Sequence, residues 1–481
     1  MKKILLLVGV VSLATVAAWG QSAPIKRLDG STISQEQVDK TVSEAMSGAQ
    51  VPGVALAILN QGRAVYLKGY GLRDKEKNLP MTANTVMSAA SLSKVAFAYL
   101  VLELVDEGLL DLDKPVYQYL AKPLPEYPNY ADLADDARYQ RITARMLLTH
   151  TSGFANWRSM EADHRLKIHF DPGSRFAYSG EGIDLLQLVV ETITKQPLED
   201  LMQKNVFQPL GMTRTSMVWH AEFENDYANG YDENGKSLGP QKRQKADAAG
   251  SMQTTVSDFA KFMRAVAAGQ RLKKETRAEM LRAQIQIKSK HEFPTLEEET
   301  TEQNQSIRLS YGLGWGLYWT SFGEAFFKEG HDDGWRNYAV GFDRGWSGLV
   351  IMTNSSNGEG IYQQLLEGVL ANSLTPLEWE GFRRGPAKEH KQVSLSVAVL
   401  NRYAGRYGEA PNLIMTIRRE GDHLAGQSGN GPAVELFAES EKQFFTKSGD
   451  AVLTFEVDGR GRATGMVLHA DGKDMPIRRI D

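Results

Sequence analysis

Ser91-Leu92-Ser93-Lys94 opens an apolar run that extends to about Leu110. The run is apolar on nearly every helical face, through Val95, Ala96, Phe97, Tyr99, Leu100, Val101 and Leu102. That pattern predicts a helix buried at the centre of a fold rather than lying on its surface. Ser91 and Lys94 are three residues apart, so a helix puts both side chains on one face. A serine hydroxyl is a weak nucleophile until a neighbouring base takes its proton. A lysine is such a base only when uncharged, the form that burial favours. The helix entrance adds free backbone N–H groups and a positive dipole end, both suited to developing negative charge. Ser91 is therefore the candidate nucleophile and Lys94 its proton partner.

Outward from this helix the pattern changes twice. Upstream, residues 31–47 read as a short amphipathic helix opened by Ser34, and 54–59 and 64–68, split by Asn60-Gln61-Gly62, read as a β-hairpin. Downstream, residues 140–282 are mainly helical in pattern. Residues 285–309 are polar, with Glu297-Glu298-Glu299, and read as an exposed loop: a lid or, preferably, a plain insertion. Strand-like runs return at 315–319, 325–328, 337–342 and 349–353, followed by a helix near 361–372. Strands at both ends of a helical middle predict an α+β sandwich with one antiparallel sheet. A Pro-containing, charged stretch at 375–396, with Pro376 and Pro386, leads to runs at 413–418, 433–437, 442–446, 452–457 and 464–469, which predict a small antiparallel barrel or sandwich.

The chain has 481 residues, 42% of them hydrophobic and 24% charged, enough for more than one domain. A net charge of −4 gives no electrostatic case for nucleic acid or an anionic membrane. The absence of cysteine excludes disulfides, thiolate metal sites and a lipoprotein anchor. Lys2-Lys3, the apolar run 4–16 and Ala18-Trp19-Gly20 read as a signal peptide over 1–20, so a secreted or periplasmic protein without stable membrane insertion is expected.

Many segments, in order, resemble the serine β-lactamase and penicillin-binding-protein superfamily, nearest its class C-like branch with the family VIII carboxylesterases. They include Val51-Pro52-Gly53-Val54, the Ser91–Lys94 motif, Leu147-Leu148-Thr149-His150-Thr151-Ser152-Gly153, Tyr178-Ser179-Gly180, Gln208-Pro209-Leu210-Gly211-Met212 and Tyr311-Gly312-Leu313-Gly314-Trp315-Gly316. The resemblance implies a hydrolase domain over about 21–380, while Leu400-Asn401-Arg402-Tyr403-Ala404-Gly405-Arg406-Tyr407 resembles the opening of a lipocalin-like domain over 396–481. It also implies an acyl-enzyme on Ser91, with Lys94 and Tyr178 moving protons, and no metal or organic cofactor.

The third motif of that family, Lys/His-x-Gly on a strand edge, has two registers here. Lys328-Glu329-Gly330 fits by residue type; His331-Asp332-Asp333 fits by its place before Gly334-Trp335 and is slightly preferred. The resemblance makes the Ser91 N–H one oxyanion donor. The second is Gly334 in the His331 register and His331 in the Lys328 register. Gly180 stands where the family usually has an asparagine that contacts substrate, and either register carries a carboxylate that repels anionic substrates. Both departures point toward esters or other neutral acyl compounds. The expected substrate is a small ester, amide or peptide and the expected activity that of a carboxylesterase. The alternatives are a β-lactamase, a D-amino-acid or cell-wall peptidase, or a penicillin sensor that deacylates slowly. Oligomeric state is not legible.

Gly235-Lys236-Ser237-Leu238-Gly239 matches a nucleophile-elbow pattern, but it follows a turn sequence and precedes Pro240, so it reads as a loop. His331-Asp332-Asp333 lacks further ligands for a metal. His150 reads as structural.

Overall fold

A computed structural model describes residues 24–382, 391–409, 413–428, 433–445, 452–470 and 473–481. The expected signal peptide and Pro386 lie outside the described residues.

Helix α1, Gln35–Ala49, begins where Ser34 forms a capping box with Gln37, and ends on Gln50 in the left-handed conformation. The hairpin follows as β1, Gly53–Asn60, and β2, Arg63–Asp74, which meets the short β3, Leu79–Pro80. Every residue of β1 is buried, as a strand covered on both faces must be. Helix α2, Leu92–Asp106, buries 13 of its 15 residues, which explains its all-round apolar sequence. It stops four residues before Leu110, ahead of Gly108 at φ 75°.

The helical middle contributes α3, Gly180–Thr194, and α4, Val256–Ala268, among many single 3₁₀ turns. Ser237–Gly239, expected as a loop, is a short strand of a two-stranded ribbon with no helix after it, so the elbow-like motif is not an elbow. The chain then returns to the sheet as β4, Ile285–Gln286, β5, Ser310–Tyr311, β6, Gly316–Thr320, β7, Gly323–Asp332, β8, Trp335–Phe342, and β9, Ser347–Thr353. Spatial order is β4-β5-β6-β7-β8-β9-β1-β2-β3, every pair antiparallel. The β9–β1 pairing joins the two ends of the chain segment, as the strand–helix–strand order predicts. One core lies between the sheet and the helical middle, around α2; the other lies between the opposite face and α1 with the helical segment 358–370. This is a three-layer sandwich.

Residues 285–309 depart from the expected plain insertion. Glu292 is buried, its N–H bonds the Trp379 carbonyl, and Phe293 packs on Tyr178 at 5.6 Å between ring centroids. A polar sequence concealed this, because inward acidic residues look like solvated ones.

After a short helix, Val397–Tyr403, which lends Leu400 and Tyr403 to its core, the carboxy-terminal part is β: β10, Gly405–Glu409, β11, Leu413–Glu420, β12, His423–Ser428, β13, Ala433–Ala438, β14, Gln443–Phe445, β15, Val452–Val457, β16, Ala463–Ala470, and β17, Lys473–Arg478. They pair in sequence order, and a Tyr407–Arg479 bridge brings the last strand back to the first, giving a nearly closed barrel. Three strands, β10, β12 and β17, are additional to the five expected runs.

Candidate active site

Ser91 sits at the amino end of α2, on a turn held from several sides. Ala90 before it has φ 47°, a left-handed conformation that costs a non-glycine residue energy and persists only when its surroundings enforce it. Those surroundings are specific. Ser93 Oγ donates to the Ala90 carbonyl at 2.6 Å and accepts from the Met252 N–H at 2.9 Å. The Asn337 amide donates to the Ser88 carbonyl at 3.0 Å. A Cβ on Gly330 would lie 2.5 Å from the Ala89 carbonyl oxygen, so β7 crosses directly against this turn, and glycine is required there.

Lys94 is almost completely buried, and its ammonium donates to Ser91 Oγ at 3.1 Å and to the Ala249 carbonyl at 2.6 Å. Its Nζ lies 5.0 Å from the centroid of the Tyr178 ring, and Lys328 Nζ lies 4.5 Å from the same ring. Tyr178 is thus set between two cations. Its hydroxyl is buried and bonds no protein group. The ring is fixed from behind by His150, 4.4 Å away between centroids, whose Nδ1 accepts the Ser179 N–H at 3.2 Å. Burial, then the positive charges of Lys328 and Lys94, hold the His150 imidazole well below its ordinary range, so it is neutral. His150 is structural, as its sequence context suggests, but its structural task is to orient Tyr178.

The third-motif geometry differs from the preferred register. Lys328, not His331, delivers its cation to Tyr178. The two-residue turn Asp333-Gly334 closes on the Asp332↔Trp335 pair, so Lys328, Gly330 and Asp332 bond across to β8. The His331 N–H therefore points to the other edge of β7. Strand β6 pairs no further than Phe327, which leaves that edge open where it passes Ser91. The Gly334 N–H is committed to Ser356 Oγ at 2.9 Å, and its Cα abuts Gly230. The His331 ring lies tilted against Phe382, 4.6 Å between centroids, and burial, then Arg336 and Lys328, pull its pKa down to about 3.

Gly180 also differs from expectation. A Cβ there would meet the Trp157 ring at 2.3 Å, and its N–H is donated to Asn156. The indole fills the space in which an asparagine side chain would lie. Trp157, absent from the sequence reading, lines the cavity in its place; Gly180 itself was the available signal. Ser91, Lys94, Tyr178, Asn156, Trp157 and His331 all line one cavity of about 1560 Å³.

Behind Lys328 the carboxylates of Glu292, Glu329 and Glu380 lie within 4.8 Å of one another, all buried. Among the described residues this is the one group with metal-ligating spacing. Lys328 contacts Glu329 directly and supplies a counter-charge. Burial opposes the Lys328 ammonium, but Glu329, Tyr178 and Tyr311 outweigh it and hold it well above the ordinary lysine value. Burial, then the neighbouring Glu329, raises Glu292 and Glu380 well above the usual carboxylate range.

A family model described as Beta-lactamase matches residues 38–370, and one described as a domain of unknown function, DUF3471, matches 389–479. Penicillin-binding protein 4* of Bacillus subtilis is 23% identical over 461 residues, covering 88% of this chain and 94% of that one. Esterase EstB of Burkholderia gladioli is 32% identical over 218 residues, covering 40% and 53%. The chain spans 42% of the length of the first curated relatives it matches. Among solved structures, the octameric penicillin-binding protein homologue from Pyrococcus abyssi has the same fold, with TM-score 0.58 and 21% identity over 92% of this chain and 99% of that one.

Proposed function

This chain belongs to the beta-lactamase family, and from that premise we propose that it is a serine hydrolase acting through an acyl-enzyme on Ser91, and that its substrates are esters before amides. The observation that carries this reading is the 3.1 Å contact between Lys94 Nζ and Ser91 Oγ at the wall of a cavity also lined by Tyr178. Ser91 Oγ attacks the substrate carbonyl as its proton passes through Lys94 to Tyr178. The N–H groups of Ser91 and His331 receive the oxyanion. Tyr178 hands a proton to the leaving group, and water, deprotonated by the same groups, then releases the acid. No cofactor enters this scheme.

The preference for esters rests on two features. Trp157 replaces the amide that would grip an acyl-side peptide group. Glu329 cancels the Lys328 charge that would otherwise attract a substrate carboxylate. The long match to penicillin-binding protein 4* favours the second reading, hydrolysis of β-lactams or D-amino-acid peptides, or acylation with slow release. We also assign the protein to the periplasm or exterior on the strength of residues 1–20.

The test compares hydrolysis of a short-chain p-nitrophenyl ester and a chromogenic cephalosporin by wild type and Ser91→Ala. Ester turnover lost in Ser91→Ala, with little cephalosporin turnover, is expected. Fast cephalosporin turnover replaces the ester preference, and ester turnover that survives in Ser91→Ala removes the mechanism.

A further inference from the structure

Residues in an antiparallel pair alternate between those that bond across the ladder and those that do not. Against β8, His331 is of the second kind, while its neighbours Gly330 and Asp332 are of the first. On the other edge β6 pairs no further than Phe327. The ladder therefore holds the His331 N–H on neither side. Yet that N–H is the second oxyanion donor of the proposed mechanism, and such donors act only when they are fixed beforehand. The side chain gives no hydrogen-bond anchor at Nε2, which is buried without a partner, Glu359 standing 3.8 Å away.

What the imidazole does have is Phe382, 4.6 Å away between centroids. Phe382 is buried, and it also meets Tyr362 at 5.4 Å and Tyr338 at 6.1 Å. Tyr338 stands on β8 opposite Glu329, so Phe382 packs against both strands of the third-motif hairpin. It does not line the cavity, and its route to the reacting atoms runs through His331.

The segment that carries Phe382 is itself fastened. The Phe382 N–H bonds the Leu377 carbonyl at 2.9 Å, and the Glu380 N–H bonds that of Pro376 at 3.1 Å, closing a compact turn. Glu380 accepts from the Tyr338 hydroxyl at 2.9 Å. The Trp379 carbonyl accepts the Glu292 N–H at 2.8 Å, and its indole donates to Ser289 Oγ at 3.3 Å. Residues 377–382 thus meet β7, β8 and the 285–309 segment together. They lie past residue 370, where the beta-lactamase match ends, and before residue 389, where the next begins.

We propose that Phe382 is a positioning residue for hydrolysis: its ring clamps the His331 side chain and so aims the His331 N–H at the developing oxyanion, making the segment 377–382 part of the catalytic unit. The role rests on the hydrolase reading above. A residue that only stabilises the fold changes how many molecules are active. One that aims a donor changes how fast each active molecule turns over, because the donor acts in the transition state more than in the bound substrate.

The test uses the full chain with p-nitrophenyl butyrate, active sites being counted by covalent labelling of Ser91 with a fluorophosphonate. Per labelled site, Phe382→Ala is expected to lower kcat about tenfold to a hundredfold, the scale of a misplaced donor, and to change KM by less than about threefold. His331→Ala keeps the N–H but removes the ring, and is expected to lower kcat in the same way. Phe382→Ala added to His331→Ala is expected to cost less than about twofold more, since the contact is already gone. Where Phe382→Ala yields no labelled sites, the milder Phe382→Leu carries the same cycle, with a smaller fall in kcat. Four results overturn the positioning role and leave the hydrolase reading standing: kcat per site unchanged in the Phe382 variant, a rise in KM alone, kcat unchanged in His331→Ala, or a double variant that multiplies the two single losses. Wild type without Ser91-dependent turnover overturns the hydrolase reading and the positioning role with it.

Discussion

Trp157 explains why position 180 is glycine, and the pair can be tested as a unit. Asparagine at 180 must displace a ring that would lie 2.3 Å from its Cβ. Gly180→Asn is expected to lower stability by about 1–3 kcal/mol, the usual cost of forcing atoms into a packed site. Trp157→Ala in the same chain is expected to restore most of it, read as the denaturant midpoint of the double variant against each single one. A double variant that shows plain additivity means the two sites do not share space. At this scale the sequence was informative in a particular way. Ser91, Lys94 and Tyr178, which line one cavity, could be nominated from sequence because the proposed chemistry needs those residue types at those places. Trp157 was not, because its role arises from a contact between separate segments. The register of the third motif turned on which side chain reaches Tyr178, and the strand alternation of β7 gives that to Lys328 rather than to His331.

Among the elements, α2 and the hairpin could be read from apolar pattern alone, since burial on all sides leaves no other composition open to them. The segment 285–309 could not, because Glu292 is an acidic residue that burial has placed among acidic residues. Its carboxyl is held well above the usual range by burial and by Glu329. The sign follows from that direction. A carboxyl whose folded pKa is raised adds stability while both states are protonated, below about pH 4, and that contribution is lost as pH rises through the folded value. Replacing Glu292 by Gln removes the loss. Glu292→Gln is expected to match wild type or fall slightly below it at about pH 5 and to melt higher than wild type at about pH 9. Melting curves across that range decide the matter; a difference that stays constant with pH means Glu292 is not the titrating group.

Across the molecule, three cores account for the larger hydrophobic clusters, and the barrel core shares no residue with the other two. In it Tyr403 stacks on Phe455 at 4.5 Å and donates to the Glu441 carbonyl at 2.8 Å. Tyr403→Ala is expected to cost the barrel about 3–5 kcal/mol and to leave Ser91-dependent ester hydrolysis in place. Calorimetry should show one transition moving and another standing still; a single transition moving as a whole means the parts unfold together. That the chain ends in a mainly β part was plain from its spacing of strand runs and turn residues. The three additional strands were missed because short, glycine-containing or charged strands carry little alternation, and barrel closure supplies the pairing that their sequences do not advertise. The nine-stranded sheet ends at both margins on two-residue strands, Leu79–Pro80 and Ile285–Gln286, while the barrel strip meets itself. The short β3 covers β2 only at Leu72 and Asp74, so the remaining edge of β2 is where a second molecule could add a strand, and the exposed Arg63 and Lys68 placed along it oppose such pairing.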